Sequence, residues 1–193
     1  MTRPGAEIVG PVPTGRDPDA YDRLRRRVLW SLPSGLYVLG SRAGAARNLM
    51  TVSWVSQVAL VPKLIGVGVE RAARTHELLV DGGVFALSLL ARRDRALVRR
   101  FVKPVEDIDV DEASGLGTMN GAAVRHAATG APILEVAVAW LECEIRHTLA
   151  VGSHSWFVGE VVDVGMAEPE PETAGTGDRG ILRMEDTRMN YGG

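Results

Sequence analysis

Gly35-Leu-Tyr-Val-Leu-Gly-Ser41, then Met50-Thr-Val-Ser-Trp-Val-Ser-Gln-Val-Ala-Leu60 and Leu64-Ile-Gly-Val-Gly-Val-Glu70, are the stretches that set the fold. They are rich in Val, Leu, Ser and Thr, and their period tends to two, the spacing of a strand whose side chains alternate between faces. Turn signals separate them: small residues within Arg42 to Arg47, and Val61-Pro62. Further strands are expected over Val84 to Leu90, Ile133 to Leu149 and Ser155 to Met166, with a short final strand over Ile181 to Met184. Strand–helix–strand repeats of a parallel sheet are absent. The pattern fits an antiparallel barrel, because closure removes exposed edges.

Helices enter only as short inserts. Residues 1–17 carry Pro and Gly without periodicity and read as a flexible arm ahead of a domain over 18–193. Asp17-Pro18 is a helix start, an N-cap followed by proline at the first helical position. Leu24, Val28 and Leu32 form its apolar stripe. Arg74 to Val80 reads as a second short helix stopping at Gly82-Gly83, and Asp94 to Val102 as a third, with Leu97, Val98 and Phe101 apolar. Residues 103–131 read as mostly irregular and 167–180 as an acidic, Pro-rich loop.

Composition excludes several classes of function. The 193 residues are 46% apolar, enough for a core, and the net charge is −2. No global field therefore draws in nucleic acid or an anionic membrane. No apolar run approaches the ~20 residues that span a bilayer, and the N-terminus lacks a hydrophobic signal core. The cytoplasm is the expected compartment. Cys143 is the single cysteine, which rules out an internal disulfide, a CxxC pair and a thiolate cluster; its strand context reads as structural. The four histidines are scattered, so no metal is expected. There is no phosphate-binding GxxxxGK[ST] and no GxSxG. Gly66-Val67-Gly68 is a bare GxG without a following helix.

Three segments have the chemistry to hold a planar, phosphorylated ligand. In Asn48-Leu-Met-Thr-Val-Ser-Trp-Val-Ser-Gln-Val58, short hydroxyl side chains let such a ligand approach the backbone. Strict alternation puts Thr51 and Ser53 on one face and Trp54, Ser56 and Val58 on the other unless a bulge intervenes; an ordinary half-wet strand has the same spacing. In Glu70-Arg-Ala-Ala-Arg-Thr-His76, a strand end meets a helix start, where free N–H groups and the dipole attract phosphate. Arg74 offers a fork of donors and Thr75 a hydroxyl, although Thr75 is equally suited to capping the helix. In Gly152-Ser-His-Ser-Trp-Phe-Val-Gly-Glu160, His154 lies at a turn from which it can reach a cavity mouth, or simply face solvent.

In this order the segments resemble the flavin reductase family of FMN-binding split barrels. Leu32-Pro-Ser-Gly-Leu-Tyr-Val-Leu39 resembles the family's opening strand, and Asn48-Leu-Met-Thr-Val-Ser53 and Pro62-Lys-Leu-Ile-Gly-Val67 continue it. Arg74-Thr75, Leu78 and Gly83-Val-Phe-Ala-Leu-Ser-Leu-Leu90 match its middle block, and Gly152 to Val161 its "G-D-H-x-L-F-V-G-E-V" strand. The likeness covers residues 24–166. It implies a mainly β, antiparallel split β-barrel with short peripheral helices. It implies a homodimer with FMN near the subunit interface, or FAD in an open pocket, and NADH or NADPH as the electron donor. Asn48, Leu49, Met50, Thr51, Ser53, Ser56, Gln57 and Val58 would wrap the ring and ribityl chain, and Arg74 and Thr75 would take the phosphate. His154, the expected catalytic position, would sit where the nicotinamide stacks. Three residues depart from the pattern: Ala73 in place of a serine, Ser153 in place of an aspartate, and Trp54 in place of a small residue.

The activity so implied is hydride transfer from NAD(P)H to bound flavin, with reduced flavin passed to a monooxygenase partner. An FMN-binding electron carrier fed by another protein is the alternative, and a flavin-free haem or protein binder is a third reading.

Overall fold

The computed structural model describes residues 10–167, 180–187 and 189. Helix α1 spans Pro18–Trp30, and Asp17 Oδ1 caps it by accepting from the Ala20 amide at 2.8 Å. The cap and the proline fall where the sequence places them. The apolar stripe, however, is not buried among the described residues: no α1 residue is buried, and Leu24 and Val28 are 46% and 59% exposed.

The main sheet begins with the hairpin β1 (Tyr37–Ala43) and β2 (Ala46–Val52). Its turn is only Gly44-Ala45, with Gly44 at φ 58°, so the strands run deeper into the 42–47 segment than the sequence implies. The expected single strand over 50–60 is broken. β2 ends at Val52, and β3 starts at Val55 and runs to Ala59. At the break the Val55 amide donates to Ser53 O at 3.1 Å and the Gly68 amide to Trp54 O at 2.9 Å. β4 is Leu64–Glu70, α2 is Arg74–Gly82, and β5 is Val84–Leu89. Gly83 ends α2 in the left-handed region, φ 68°, a conformation that costs glycine little.

Two 13-residue strands, β10 (Ala139–Val151) and β11 (His154–Met166), complete the sheet. Its order is β2-β1-β5-β10-β11-β4-β3, all antiparallel. The two end strands, β2 and β3, are joined by only two residues, so the sheet coils back on itself. Leu39, Val52, Val67, Val69, Phe85, Leu87, Cys143 and Phe157 pack inside it. This is the mainly β barrel architecture expected. Burial holds Cys143 inert, its thiol pushed up to about 12.

Two expectations are corrected. Asp94 to Val102 is not an α-helix but a pair of 3-10 turns, Arg92–Asp94 and Leu97–Phe101. An α-helical turn would use the Val98 carbonyl to bond its own helix, whereas here that carbonyl accepts from Thr51 Oγ1 at 2.5 Å. Val98 and Phe101, three apart, then both enter the core. The second concerns 103–131, which is mostly irregular as expected but carries three short strands that the expectation left out. β6 (Ile108–Val110), β7 (Gly117–Met119), β8 (Ala122–Arg125) and β9 (Ile133–Leu134) form a second antiparallel sheet. Asn120-Gly121, at φ 46° and 69°, makes its central hairpin. Asn-Gly is a strong hairpin signal, but the flanking strands are too short to show alternation.

The second sheet covers the outer face of the first. Val38 and Leu49 point outward into a core with Phe101, Met119, Val124 and Leu134. β1 is therefore buried on both faces. The final segment forms isolated bridges, Ile181 to Ala91 and Arg183 to Gly35, rather than a strand, with Leu182 fully buried between them. The expected loop at 167–180 lies largely outside the described residues, as does most of the expected N-terminal arm.

Candidate functional site

A cleft of about 500 Å3 opens where the end of β2, the end of β4, the start of α2 and the segment 101–104 converge. Asn48 ties three of these walls together. Its Nδ2 donates to Thr75 Oγ1 at 2.8 Å, and its Oδ1 accepts from the Val105 amide at 2.8 Å. Thr75 is buried within the first turn of α2, so it does not cap the helix. The N-cap is Ala73, which has no side-chain bond to give. Of the first-turn N–H groups, that of His76 donates to Ala73 O at 2.9 Å, which leaves those of Arg74 and Thr75 for the cleft, with the positive end of the dipole behind them.

Arg74 also lines the cleft, but its Nη1 is paired with Glu77 Oε2 at 2.8 Å on the surface. An exposed pair of this kind contributes at most ~1 kcal/mol and yields readily to a better anion. At the mouth, His154 begins β11 and hydrogen-bonds through Nδ1 to Ser153 Oγ at 2.8 Å. Its ring centroid lies 4.7 Å from that of Trp54, with the planes tilted by 46°. Neighbouring His76 shares a hydrogen bond of 2.8 Å with Ser155 Oγ. Burial and then the Arg71 charge lower its pKa, which favours the neutral ring.

Of the residues expected here, Asn48, Met50, Thr51, Ser53, Arg74, Thr75 and His154 meet in this cleft. Leu49 instead points into the core under the second sheet. Ser56, Gln57 and Val58 are exposed in β3 and do not line the cleft, and Ser56 and Gln57 bond main-chain carbonyls of their own strand. The break at Ser53-Trp54 separates them from the rest. Thr51 turns its hydroxyl hydrogen inward to Val98, so it serves the wall rather than a ligand. Sequence reasoning missed the wall Phe101-Val102-Lys103-Pro104, whose Lys103 adds a cation, and the lining role of Trp54 and Gly68. The GxG at 66–68 is the signal for the latter. A Cβ at Gly68 would lie 3.1 Å from the Trp156 ring and 3.2 Å from that of Trp54.

Against known proteins, residues 29–185 match the family model described as "Flavin reductase like domain". The chain belongs to this family. It is 34% identical over 125 residues to the NADH-dependent flavin reductase StyB of Pseudomonas fluorescens, covering 63% of this chain and 66% of that protein. It is 27% identical over 149 residues to diflavin flavoprotein A 1 of Synechocystis sp., covering 77% of this chain but only 25% of that protein. The chain thus spans about a quarter of the length of the curated diflavin relatives it matches. Among solved structures, the styrene monooxygenase flavin reductase of Pseudomonas putida S12 superposes with a TM-score of 0.61 at 29% identity, covering 73% of this chain and 86% of that one. The NADH:FAD oxidoreductase SgcE6 of Streptomyces globisporus C-1027 gives 0.63 at 28% identity, covering 81% and 89%. These flavin reductase structures share the barrel described above.

Proposed function

We propose that this flavin reductase family member binds FMN or FAD in the cleft and takes a hydride from NADH, or from NADPH, onto that flavin. The observation that carries the reading is the pairing, in one cleft, of an uncapped helix start with the aromatic mouth formed by His154 and Trp54. The first suits a phosphate and the second suits planar rings. The flavin, when bound, supplies the redox chemistry that side chains lack.

The chain's own residues bind, orient and exclude water. The Arg74 and Thr75 N–H groups, the Thr75 hydroxyl and Lys103 would hold the phosphate, and Arg74 would join them by exchanging Glu77 for it. Thr75 accepts from Asn48 and so keeps its own hydrogen to donate. Ser53 and the irregular backbone beside it present polar groups to the ring's edge. His154, steered by Ser153, would orient the nicotinamide, and such positioning of two reactants supplies much of the rate. No general acid is required for the hydride step.

The P. fluorescens relative is by name NADH-dependent, and one solved relative is the flavin reductase of a styrene monooxygenase. These names support NADH as donor and a monooxygenase as recipient of reduced flavin. The exposed stripe of α1 is consistent with the homodimer. Among the described residues no helix is long and apolar enough to cross a membrane, and the lone buried thiol suits the cytoplasm. The decisive measurement is the absorption spectrum of the flavin-loaded protein on anaerobic mixing with NADH or NADPH. Rapid bleaching of the flavin band is expected. The matched diflavin relatives, much longer proteins, favour one second reading, a flavin module fed by another protein; a flavin that binds but does not bleach would establish it.

A further inference from the structure

We infer that Trp54 is a specificity-determining residue: its indole, with Glu70 in the same cleft, favours the cationic ring of oxidised nicotinamide over the neutral ring of the reduced donor. This rests on the flavin reductase reading above.

Trp54 occupies the two-residue break between β2 and β3, and its carbonyl is fixed by the Gly68 amide at 2.9 Å. Gly68 leaves the space into which two indoles fit, those of Trp54 and Trp156. The Trp54 ring therefore has a firm seat on β4, yet the residue remains 42% exposed and lines the cleft. His154 stands 4.7 Å away with its plane tilted by 46°, and Ser153 holds its Nδ1. At this distance the two rings are in contact, so a third planar ring stacks on the exposed part of the Trp54 indole rather than between them. Glu70 pairs in register with His154 and lines the same cleft, with an exposed carboxylate. An electron-rich indole face that shares a cleft with a carboxylate is a combination that attracts an organic cation.

The reaction creates such a cation. The C4–H bond of the dihydronicotinamide breaks with both electrons and the hydrogen passing to the flavin, and the neutral ring becomes a pyridinium. Trp54 and Glu70 act on that difference in charge. They hold the product more tightly than the donor, so product release answers to a residue that takes no part in bond making.

The test uses the flavin-loaded wild type, Trp54→Phe and Trp54→Leu. Each is titrated by calorimetry with NAD+ and with the tetrahydro analogue of NADH, which is neutral and gives no hydride. The flavin affinity of each variant is measured first. Trp54→Leu should weaken NAD+ binding by about tenfold, the scale of a partly desolvated cation–π contact, and the neutral analogue by no more than about twofold. Trp54→Phe should retain most of the NAD+ affinity. Equal losses for both ligands, or none for NAD+, would overturn the assignment while leaving the flavin reading intact. A wild type that takes up no flavin would overturn that reading, and this inference with it.

Discussion

Asn48 and Thr75, 27 positions apart in the chain, meet side chain to side chain at 2.8 Å in a buried hydrogen bond, and the same Asn48 holds the Val105 amide. One amide group therefore sets the spacing between β2, α2 and the segment that closes the cleft. Asn48→Ala leaves the Val105 amide without its acceptor. Losing one buried and one part-buried bond should lower stability by about 1–3 kcal/mol and weaken flavin binding by releasing the wall. Urea unfolding read alongside a flavin titration checks both.

Arg74 and Glu77 give a second prediction. If Arg74 exchanges its surface carboxylate for the flavin phosphate, Arg74→Ala should weaken FMN binding by about 1.5–3 kcal/mol, the scale of a hydrogen bond to a charged group. Glu77→Gln removes the competitor and should leave affinity equal or slightly higher. FMN titration of both variants decides; an unchanged Arg74→Ala removes Arg74 from the site.

Ser153 bears on the donor rather than on the flavin. Its hydroxyl is the group bonded to His154 Nδ1. Ser153→Ala frees the ring to rotate and should raise KM for NADH several-fold while the flavin dissociation constant stays put. Steady-state kinetics with saturating FMN measures the first, and fluorescence titration the second. A loss confined to flavin affinity would place Ser153 and His154 elsewhere in the mechanism.

His126 predicts a pH dependence of stability. Its pKa is lowered from 6.5 by burial first, then by the charges of Arg47 and Arg42. Its Nε2 lies 3.3 Å from Arg47 Nη1, and Arg47 is also paired with Glu112. The ring is thus suited to accept from Arg47 as a neutral group. The unfolded chain binds a proton more readily than the folded one between the lowered value and 6.5. Stability on this account is full above pH 6.5 and falls as pH drops through that window. His76, also lowered, adds in the same direction. Melting temperatures between pH 7.5 and 5 should show a shallower decline for His126→Gln than for wild type.

How much of this was legible beforehand follows from the range of the signals. Asp17-Pro18 and Gly83 marked helix ends because capping and left-handed conformations are properties of one or two residues. Most strands of the main sheet were legible from their period, but the expected strand over 133–149 divides into β9, which joins the second sheet, and β10, which starts only at Ala139. The break at Ser53-Trp54 was not, because it depends on Gly68 donating to Trp54 O across the sheet. For the same reason Ser56, Gln57 and Val58 read as continuous with Asn48 to Ser53 although the fold separates them. The 92–101 segment carried an apolar pattern equally suited to an α-helix, and Thr51 capturing the Val98 carbonyl accompanies its 3-10 form.

By itself the sequence determined the class of fold, the order of its main strands, two helix starts and the three segments that supply most of the cleft. These depend on local periodicity, turn chemistry and capping, which act over a few residues. The tertiary structure alone decided that Phe101 to Pro104 closes the cleft, that Leu49 faces away from it, and that Trp54 leans on His154. Those outcomes depend on strand register, on the two-residue link that coils the sheet, and on glycines that leave room for rings from distant strands. None of these is a property of neighbouring residues in the chain.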